Sequence, residues 1–240
     1  MLLPQRVFDD AALISVANAA RNRDISRLQN LVASGIDLRG VGREGLTVTH
    51  FALYAGPDTP AVLDILLKAG ADPISQLTSG TTVPELAAKR DNADPKVITV
   101  LLTNGLSPNW RAASGISKET SLIGFAIQGN NLEVVRTLVD SGADINYVNP
   151  ISGSALHDAL EIADFEIAAY LVDAGIDLSL KSHTSPLIEP GSRRMETAIE
   201  RFCRTQGGRR GRNPSQRAKV GWALLMEALA KRGVSMPCGL

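Results

Sequence analysis

The stretch that decides the fold is LEVVRTLVDSGADIN, residues 132–146. Its first part spaces apolar residues as they lie on one face of a helix, and its second part turns at Gly142. The same pattern recurs before and after this stretch when the chain is aligned on the glycine. The aligned glycines are Gly35, Gly70, Gly105, Gly142 and Gly175, at steps of 35, 35, 37 and 33 residues. An internal period of this length predicts an array of stacked repeats.

Each column of the repeat has a physical reason. The apolar pairs that stand four and three residues before the glycines are Leu31–Val32, Leu66–Leu67, Leu101–Leu102, Leu138–Val139 and Leu171–Val172. So narrow an apolar face needs a neighbouring helix to bury it, which favours stacking. We expect the glycine to cap the helix in the left-handed conformation. Two residues further on stands Asp in four copies and Ser107 in the third, and we expect this side chain to bond the backbone of a turn.

Upstream of the glycine-capped helices, two short segments carry a family resemblance. TVTHFA at residues 47–52 and SALHDA at residues 154–159 resemble the T-P-L-H-x-A signature of ankyrin repeats. The turns GAD at 70–72 and GADIN at 142–146 resemble the family's G-A-D-x-N turn. The resemblance covers residues 12–180 and implies an all-α, ankyrin-type repeat solenoid of paired antiparallel helices with hairpin-like finger loops. The copies are divergent, because Asn18, Glu85 and Gly124 stand where the signature has His.

We expect a single ankyrin-repeat domain over residues 1–240. Its repeats are predicted at residues 12–40, 41–75, 76–110, 111–147 and 148–180, followed by an enlarged capping repeat at 181–240. In the capping repeat we predict a loop over 182–192, helices over 193–206 and 216–232, and a basic insertion at 204–217 between them.

Composition agrees with thin helix pairs, because 44% of the residues are hydrophobic but only 4% are aromatic. The two cysteines are too few for a disulfide framework, and Cys203 is predicted to be a structural thiol. The sequence shows no cleaved signal peptide and no apolar run long enough for a membrane span. We therefore expect a cytoplasmic protein without a membrane partner, while secretion by a non-classical route stays open.

The chain has a formal net charge of zero, but its charges are unevenly distributed along the sequence. Residues 192–240 hold eleven Lys and Arg against three Glu, a net charge of +8, so residues 1–191 carry −8. The candidate anion-binding residues in the basic stretch are Arg204, Arg209, Arg210, Arg212 and Arg217. No aromatic residue is interleaved to stack on bases, so nucleic acid is not expected. A solvated loop that offsets the acidic part is the favoured interpretation, and an acidic protein partner is the alternative.

The search for catalytic chemistry is largely negative. No nucleophile elbow, phosphate-binding loop or zinc-protease motif occurs. His50 and His157 stand three repeats apart and have no partner at metal-ligand spacing, so we expect each imidazole to bond the backbone of a finger. We predict no enzyme activity, no metal and no cofactor.

Candidate partner-binding residues come from two positions of the repeat. Trp110 and Tyr147 both stand five residues after a glycine, where the side chain either packs on the adjacent finger or anchors a partner. The family resemblance implies that residues just after the signature alanines line the inner face. The predicted set is Arg21, Asn22, Tyr54, Lys89, Arg90, Trp110, Arg111, Gln128, Tyr147 and Glu161.

We conclude from the sequence that the chain is a non-enzymatic protein-protein interaction module, monomeric when free, whose concave and finger surface binds a protein partner. One alternative is an immunity or antitoxin protein that inhibits an enzyme or toxin. A second is a secreted ankyrin effector. A third is a polyanion-binding or nucleic-acid-binding protein that uses the basic C-terminal repeat.

Overall fold

The computed structural model describes residues 3–90, 93–113, 117–183, 194–206 and 215–238, without the side chain of Gln206. The α-helices of these residues are α1 (Ala11–Asn22), α2 (Ile25–Ala33), α3 (Val48–Ala52), α4 (Thr59–Lys68), α5 (Val83–Lys89), α6 (Pro95–Thr103), α7 (Leu122–Gln128), α8 (Leu132–Asp140), α9 (Ala155–Glu161), α10 (Phe165–Asp173), α11 (Ala198–Gln206) and α12 (Gln216–Lys231). Short 3-10 helices cover Pro4–Arg6, Arg43–Gly45 and Gly56–Asp58. Across these ranges no helix is long and apolar enough to cross a membrane.

The chain divides into two compact units, an N-terminal unit of residues 1–118 and a C-terminal unit of residues 119–240. Each unit consists of helix pairs with a shorter inner helix followed by an outer helix, except that α1 is longer than α2. Across the described ranges four short strands accompany the helices, so the fold is mostly helical, as the ankyrin resemblance predicts. Whether the two units form one continuous domain stays a prediction.

In the N-terminal unit, α1 packs on α3, and the outer helices α2, α4 and α6 pack in sequence. Asp10 begins α1 because its carboxylate accepts hydrogen bonds from the N–H groups of Ala12 and Leu13, at 2.6 and 3.1 Å. The apolar column is buried at Leu66 and Leu101, as predicted. In the first copy Leu31 is only half-buried.

In the C-terminal unit, the inner helices α7, α9 and α11 pack in sequence, and α10 packs between α8 and α12. Leu138 and Leu171 are fully buried, which confirms the apolar column here as well. The last two helices are held by an aromatic cluster, in which the Phe165 ring lies edge-on to Phe202 and Trp222 at 5.7 and 5.2 Å.

The predicted glycine cap is confirmed in every copy. The left-handed glycines that end the outer helices are Gly35, Gly70, Gly105, Gly142, Gly175 and Gly233, with φ between 69° and 98°. At Gly142 the N–H group donates to the carbonyl of Val139, and the next N–H group, of Ala143, donates to Leu138, both at 2.9 Å. These bonds satisfy carbonyls that the end of the helix leaves free.

The predicted side-chain turn after each glycine is also confirmed. In all five copies the oxygen two residues after the glycine accepts a hydrogen bond from the backbone N–H two residues later. The acceptors are Asp37, Asp72, Ser107, Asp144 and Asp177, at distances of 2.9 to 3.1 Å. The turn sends the chain from the outer helix into the connection that leads to the next inner helix. We call these connections, residues 34–47, 69–82, 104–121, 141–154 and 174–197, the fingers.

Two fingers of the C-terminal unit form antiparallel strand pairs. Strands β1 (Val148–Asn149) and β2 (Gly153–Ser154) pair with Val148 opposite Ser154. Strands β3 (Lys181–His183) and β4 (Met195–Thr197) pair with Lys181 opposite Thr197. In the N-terminal unit the equivalent contact is a single bridge between Gln76 and Thr82.

The prediction for the capping repeat is wrong in two details. Helix α11 begins at Ala198 rather than at residue 193, because Met195–Thr197 pairs as β4, and Ser182 and His183 lie in β3 rather than in a loop. The residues that make the capping repeat longer than the others therefore lie partly between β3 and β4, and not only between α11 and α12. Thr197 and Glu200 form a capping box with bonds of 2.8 and 3.2 Å between side chain and backbone, which places them at the T and H positions of the signature.

The prediction of a free structural thiol at Cys203 is also wrong. Cys203, on α11, forms a disulfide with Cys238, which follows α12. The bond closes a loop with a sequence separation of 35 residues, so it ties the last two helices together covalently. By restricting the unfolded chain, a crosslink of this span stabilises a fold by up to roughly 4 kcal/mol.

Two left-handed glycines of the N-terminal unit give a direct test of the cap. A Cβ at Gly70 would have no atom within 4 Å, whereas a Cβ at Gly45 would lie 2.7 Å from the carbonyl oxygen of Gln76. Gly70→Ala should therefore lower the free energy of unfolding by about 1 kcal/mol, the backbone cost alone. Gly45→Ala should lower it by roughly 3 kcal/mol or more, because the clash adds to that cost. Urea unfolding measures both variants, and equal losses would contradict this assignment.

Candidate functional site

The two signature histidines fix the start of their inner helices. The N–H group of Ser154 donates to Nδ1 of His157 at 3.2 Å, and that of Thr47 donates to Nδ1 of His50 at the same distance. Because Nδ1 accepts this hydrogen bond in both histidines, the ring proton lies on Nε2. Nε2 of His157 then donates to the carbonyl of Glu196 on β4 at 3.1 Å, which confirms the predicted bond to a finger.

The equivalent bond is missing at His50. Its Nε2 is buried and has no hydrogen-bond partner among the residues that the structure describes. Burial lowers the pKa of His50 to about 4, and it lowers the pKa of His157 to about 4 as well. Both rings are therefore neutral at physiological pH and act as structural groups.

A buried arginine that the sequence did not single out holds the fingers of the C-terminal unit. Arg201, on α11, is 4% exposed. Its Nη1 donates to the carbonyl of Ser152 at 3.0 Å, and its Nη2 donates to the carbonyls of Ser182 and His183 at 3.2 and 2.8 Å. One guanidinium thus joins the β1–β2 finger to β3. Residues 197–200, T-A-I-E, correspond to the T-P-L-H of the ankyrin signature, and Arg201 follows them directly. This position in the signature is the signal that could have identified Arg201.

Asp158 faces this arginine from α9. Burial raises the pKa of Asp158 to about 7, the Ser152 hydroxyl lowers it by hydrogen bonding, and the charges of Glu161 and Arg201 act in opposite directions. The group therefore changes charge near neutral pH. Within the described ranges, no group of three or more His, Cys, Asp or Glu could hold a metal ion.

The structure describes two of the five predicted anion-binding residues. Arg204 forms a bidentate ion pair with the Glu196 carboxylate, with Nε and Nη2 both 2.9 Å from its oxygens. Arg217, on α12, lies 3.5 Å from Glu166 and 3.8 Å from Asp164. Both cations are thus offset by carboxylates, and an anion-binding role stays a prediction. Arg209, Arg210 and Arg212 lie outside the described residues.

The predicted inner-face residues of the N-terminal unit lie at the ends of inner helices. Tyr54 is 60% exposed, and the Arg90 guanidinium lies 5.0 Å from the centre of its ring. Lys89, next to Arg90, is exposed, and so is Asn22 at the end of α1. Arg21 differs, because its Nη1 is buried without a hydrogen-bond partner among the described residues.

The aromatic pair at the fingers is half-buried. The Tyr147 hydroxyl donates to the carbonyl of Glu119 at 3.1 Å, which ties one finger to the preceding one and supports a packing role. Trp110 is also half-buried, and Arg111 beside it is exposed. Gln128 and Glu161, at the ends of α7 and α9, are exposed. Whether any of them touches a partner stays a prediction.

Two cavities of the C-terminal unit are lined by described residues. A cavity of about 310 Å³ brings the predicted residues Gln128 and Arg217 together beside Asp164. A shallow groove of about 600 Å³ runs over α8, α10 and α12 and is lined in part by Tyr170 and Leu224. We call the second one the outer groove.

Apolar side chains at the fingers were missed from the sequence. The exposed ones are Val41 at 67%, Ile74 at 48%, Ile151 at 52% and Met195 at 46%. One such residue lies in each of four fingers, two in each compact unit. The signal was weak, because each is a single apolar residue in a polar segment. Isolated exposed apolar residues are ordinary, and these four stand at different distances from their capping glycines, so what they share is that each lies in a finger.

Helix pairs with left-handed glycine caps, side-chain turns and paired fingers define a helical repeat protein. Residues 84–182 match a family model described as ankyrin repeats, with three copies. Ankyrin repeats are therefore present in this chain, as SALHDA at residues 154–159 indicates.

Curated relatives and a solved structure agree with this assignment. The nuclear factor NF-kappa-B p105 subunit of Gallus gallus is 31% identical over 130 residues, 52% of this chain and 13% of that protein. The B-cell lymphoma 3 protein homolog of Mus musculus is 35% identical over 136 residues, 55% of this chain and 29% of that protein. The chain thus matches less than a third of either relative's length. The crystal structure of the ankyrin repeat domain of Bcl-3, a member of the IkappaB protein family, superposes with a TM-score of 0.64. It is 19% identical and covers 92% of this chain and 86% of that one, which establishes the ankyrin repeat fold.

The buried histidine of the C-terminal unit predicts a dependence of stability on pH. Because folding lowers the pKa of His157 from 6.5 to about 4, its contribution is complete above pH 6.5 and is lost as the pH falls toward 4. Asp158 acts in the opposite direction, since its pKa is raised to about 7, so a variant is needed to isolate the histidine. Between pH 8 and pH 5, the wild type should lose about 2 kcal/mol of stability relative to His157→Gln.

Urea unfolding at the two pH values measures this difference. His183→Gln serves as the matched control, because His183 is exposed. A constant difference between wild type and His157→Gln at both pH values would refute the assignment.

Proposed function

We propose that this chain is a non-enzymatic protein-binding module whose fingers and inner-helix ends contact a protein partner. Repeats of this fold separate packing from recognition. The glycine, aspartate and leucine columns are used for caps, turns and the core, which leaves the fingers and inner-helix ends as surface that differs between copies. The protein inhibitor and secreted effector interpretations would use the same surface, and the identity of the partner separates them.

One observation carries this proposal. Four fingers each expose an apolar side chain at the connection between successive repeats: Val41, Ile74, Ile151 and Met195. Burying such a side chain against a partner contributes roughly 1.5 to 3 kcal/mol. Single exposed apolar side chains on several fingers support binding to another protein more than they support a deep pocket for a small molecule.

The fingers are also held in place before any partner arrives. In the N-terminal unit, the Thr78 N–H group donates to the carbonyl of Glu44 on the preceding finger at 2.9 Å. In the C-terminal unit, the side chain of Asn149 accepts hydrogen bonds from the N–H groups of Ile151 and Ser152 at 2.7 and 3.1 Å. A surface ordered in advance loses less conformational entropy on binding.

The partner can be captured with the tagged chain from its native lysate, with and without nuclease, at low and moderate salt. A protein that remains bound after nuclease treatment and at moderate salt, and that binds stoichiometrically when purified, is the expected result. Recovery of nucleic acid alone, lost at moderate salt, would instead support the polyanion alternative. Enzyme or toxin activity in the captured protein that the chain blocks would support inhibition.

Two finger variants then test the surface. Ile74→Asp and Ile151→Asp should each weaken binding of the purified partner by at least about tenfold, because the partner would have to bury a charge in place of an apolar side chain. The matched control is Leu224→Asp, since Leu224 is 46% exposed but lies in the outer groove. Titration calorimetry measures all three. Weaker binding by the control with unchanged binding by the finger variants would move the site to the outer groove.

A further inference from the structure

An exposed aromatic ring and a cation meet at the inner-helix ends of the N-terminal unit. Tyr54 follows α3, and Arg90 follows α5. The Arg90 guanidinium lies 5.0 Å from the centre of the Tyr54 ring, and its Nη1 donates to the carbonyl of Leu53 at 2.5 Å. These two contacts hold the cation in place although both side chains are exposed.

The groups that hold Arg90 are uncharged, so they position its charge without neutralising it. Among the described residues, neither Arg90 nor Lys89 makes an ion pair, and Lys89 extends the positive surface. Arg23, at the end of α1, is 3.9 Å from Asp58, and both side chains stay about half exposed. Asp91 lies outside the described residues.

Arginines of the C-terminal unit are arranged differently. Arg136 also lies over a tyrosine, 4.5 Å from the centre of the Tyr170 ring, but it has a carboxylate of Glu133 at 3.6 Å. Arg204 forms an ion pair with the Glu196 carboxylate, whose Oε1 lies 2.9 Å from its Nε. Within the described residues, an arginine that lies over a tyrosine ring and has no carboxylate in ion-pair distance is therefore found in the N-terminal unit alone.

From this geometry we infer that Tyr54, Lys89 and Arg90 bind an acidic segment of the protein partner, in which a carboxylate pairs with Arg90 and an apolar or aromatic side chain lies on Tyr54. The guanidinium keeps donors free for a planar carboxylate, which it binds through two parallel hydrogen bonds. Tyrosine and arginine are also the residues that most often dominate interface energies. The inference rests on the proposed function and specifies the chemistry of the partner.

The charge of residues 1–191 supports this location. Residues 119–191 contain eleven Asp and Glu against only Arg136 and Lys181, so they repel an acidic segment. Residues 1–118 are almost neutral, with twelve basic and eleven acidic residues. Within residues 1–191, attraction for an acidic segment therefore depends on a local cluster in the N-terminal unit rather than on net charge.

The test uses a displayed library of random 16-residue peptides, selected on the full chain. Enriched peptides should carry net negative charge with at least one aromatic or large apolar residue. The best of them, synthesised, should bind at least about tenfold more weakly to Tyr54→Ala and to the Lys89→Gln/Arg90→Gln double variant. Lys96→Gln is the matched control, because Lys96 is exposed on α6 of the same unit. Circular dichroism and urea unfolding check that each variant is folded.

Three outcomes would overturn the inference. They are enriched peptides that are neutral or basic, acidic peptides whose affinity falls as much with the control as with the double variant, and a selection that enriches nothing. A fourth outcome, peptides that bind the fingers and are sensitive to Ile74→Asp, would also overturn the inference while leaving the proposed function intact. Failure of lysate capture, in contrast, would count against the proposed function itself.

Discussion

The left-handed residue at the end of each outer helix is the constraint on which the repeat depends. An outer helix must stop, release its last carbonyls to new donors and reverse the chain within a few residues. At Gly142, φ is 86°, a conformation that costs other residues about 1 to 2 kcal/mol, and the Schellman-type bonds to Val139 and Leu138 close the helix. The side-chain turn at Asp144 follows immediately. Because these events occur at a fixed distance from the core leucines, they set the period of the chain and the starting point of every finger.

Fingers built in this way depend on buried polar groups to keep their positions. His157 connects the start of α9 to β4, and Arg201 donates to carbonyls of two fingers. Such groups are costly to bury, so each must be satisfied by good hydrogen bonds. Nε2 of His50 is buried and has no hydrogen-bond partner among the described residues, so its repeat meets this requirement less well. The apolar residues of the fingers are exposed on a framework that these bonds hold in place, which connects the packing of the repeat to its proposed role in recognition.

The sequence was informative where local physics decides and uninformative where distant segments meet. Glycine caps, side-chain turns and the buried leucines depend on a few neighbouring residues, and all three were predicted. The pairing of β3 with β4 was not, since it joins segments on either side of a long insertion. Likewise, the Cys203–Cys238 disulfide and the stacking of Arg90 on Tyr54 bring together residues about one repeat apart. The exposed apolar residues of the fingers were missed because each is inconspicuous alone, and only the structure shows that each lies in a finger.

Hydrogen–deuterium exchange of the free chain and of its complex with the captured partner would test the central claim most directly. If the fingers and inner-helix ends form the recognition surface, binding should slow exchange at residues 72–82 and 147–154 and at the end of α3, while the outer helices remain unchanged. Slowed exchange confined to α8, α10 and α12 would place the partner in the outer groove and contradict the account.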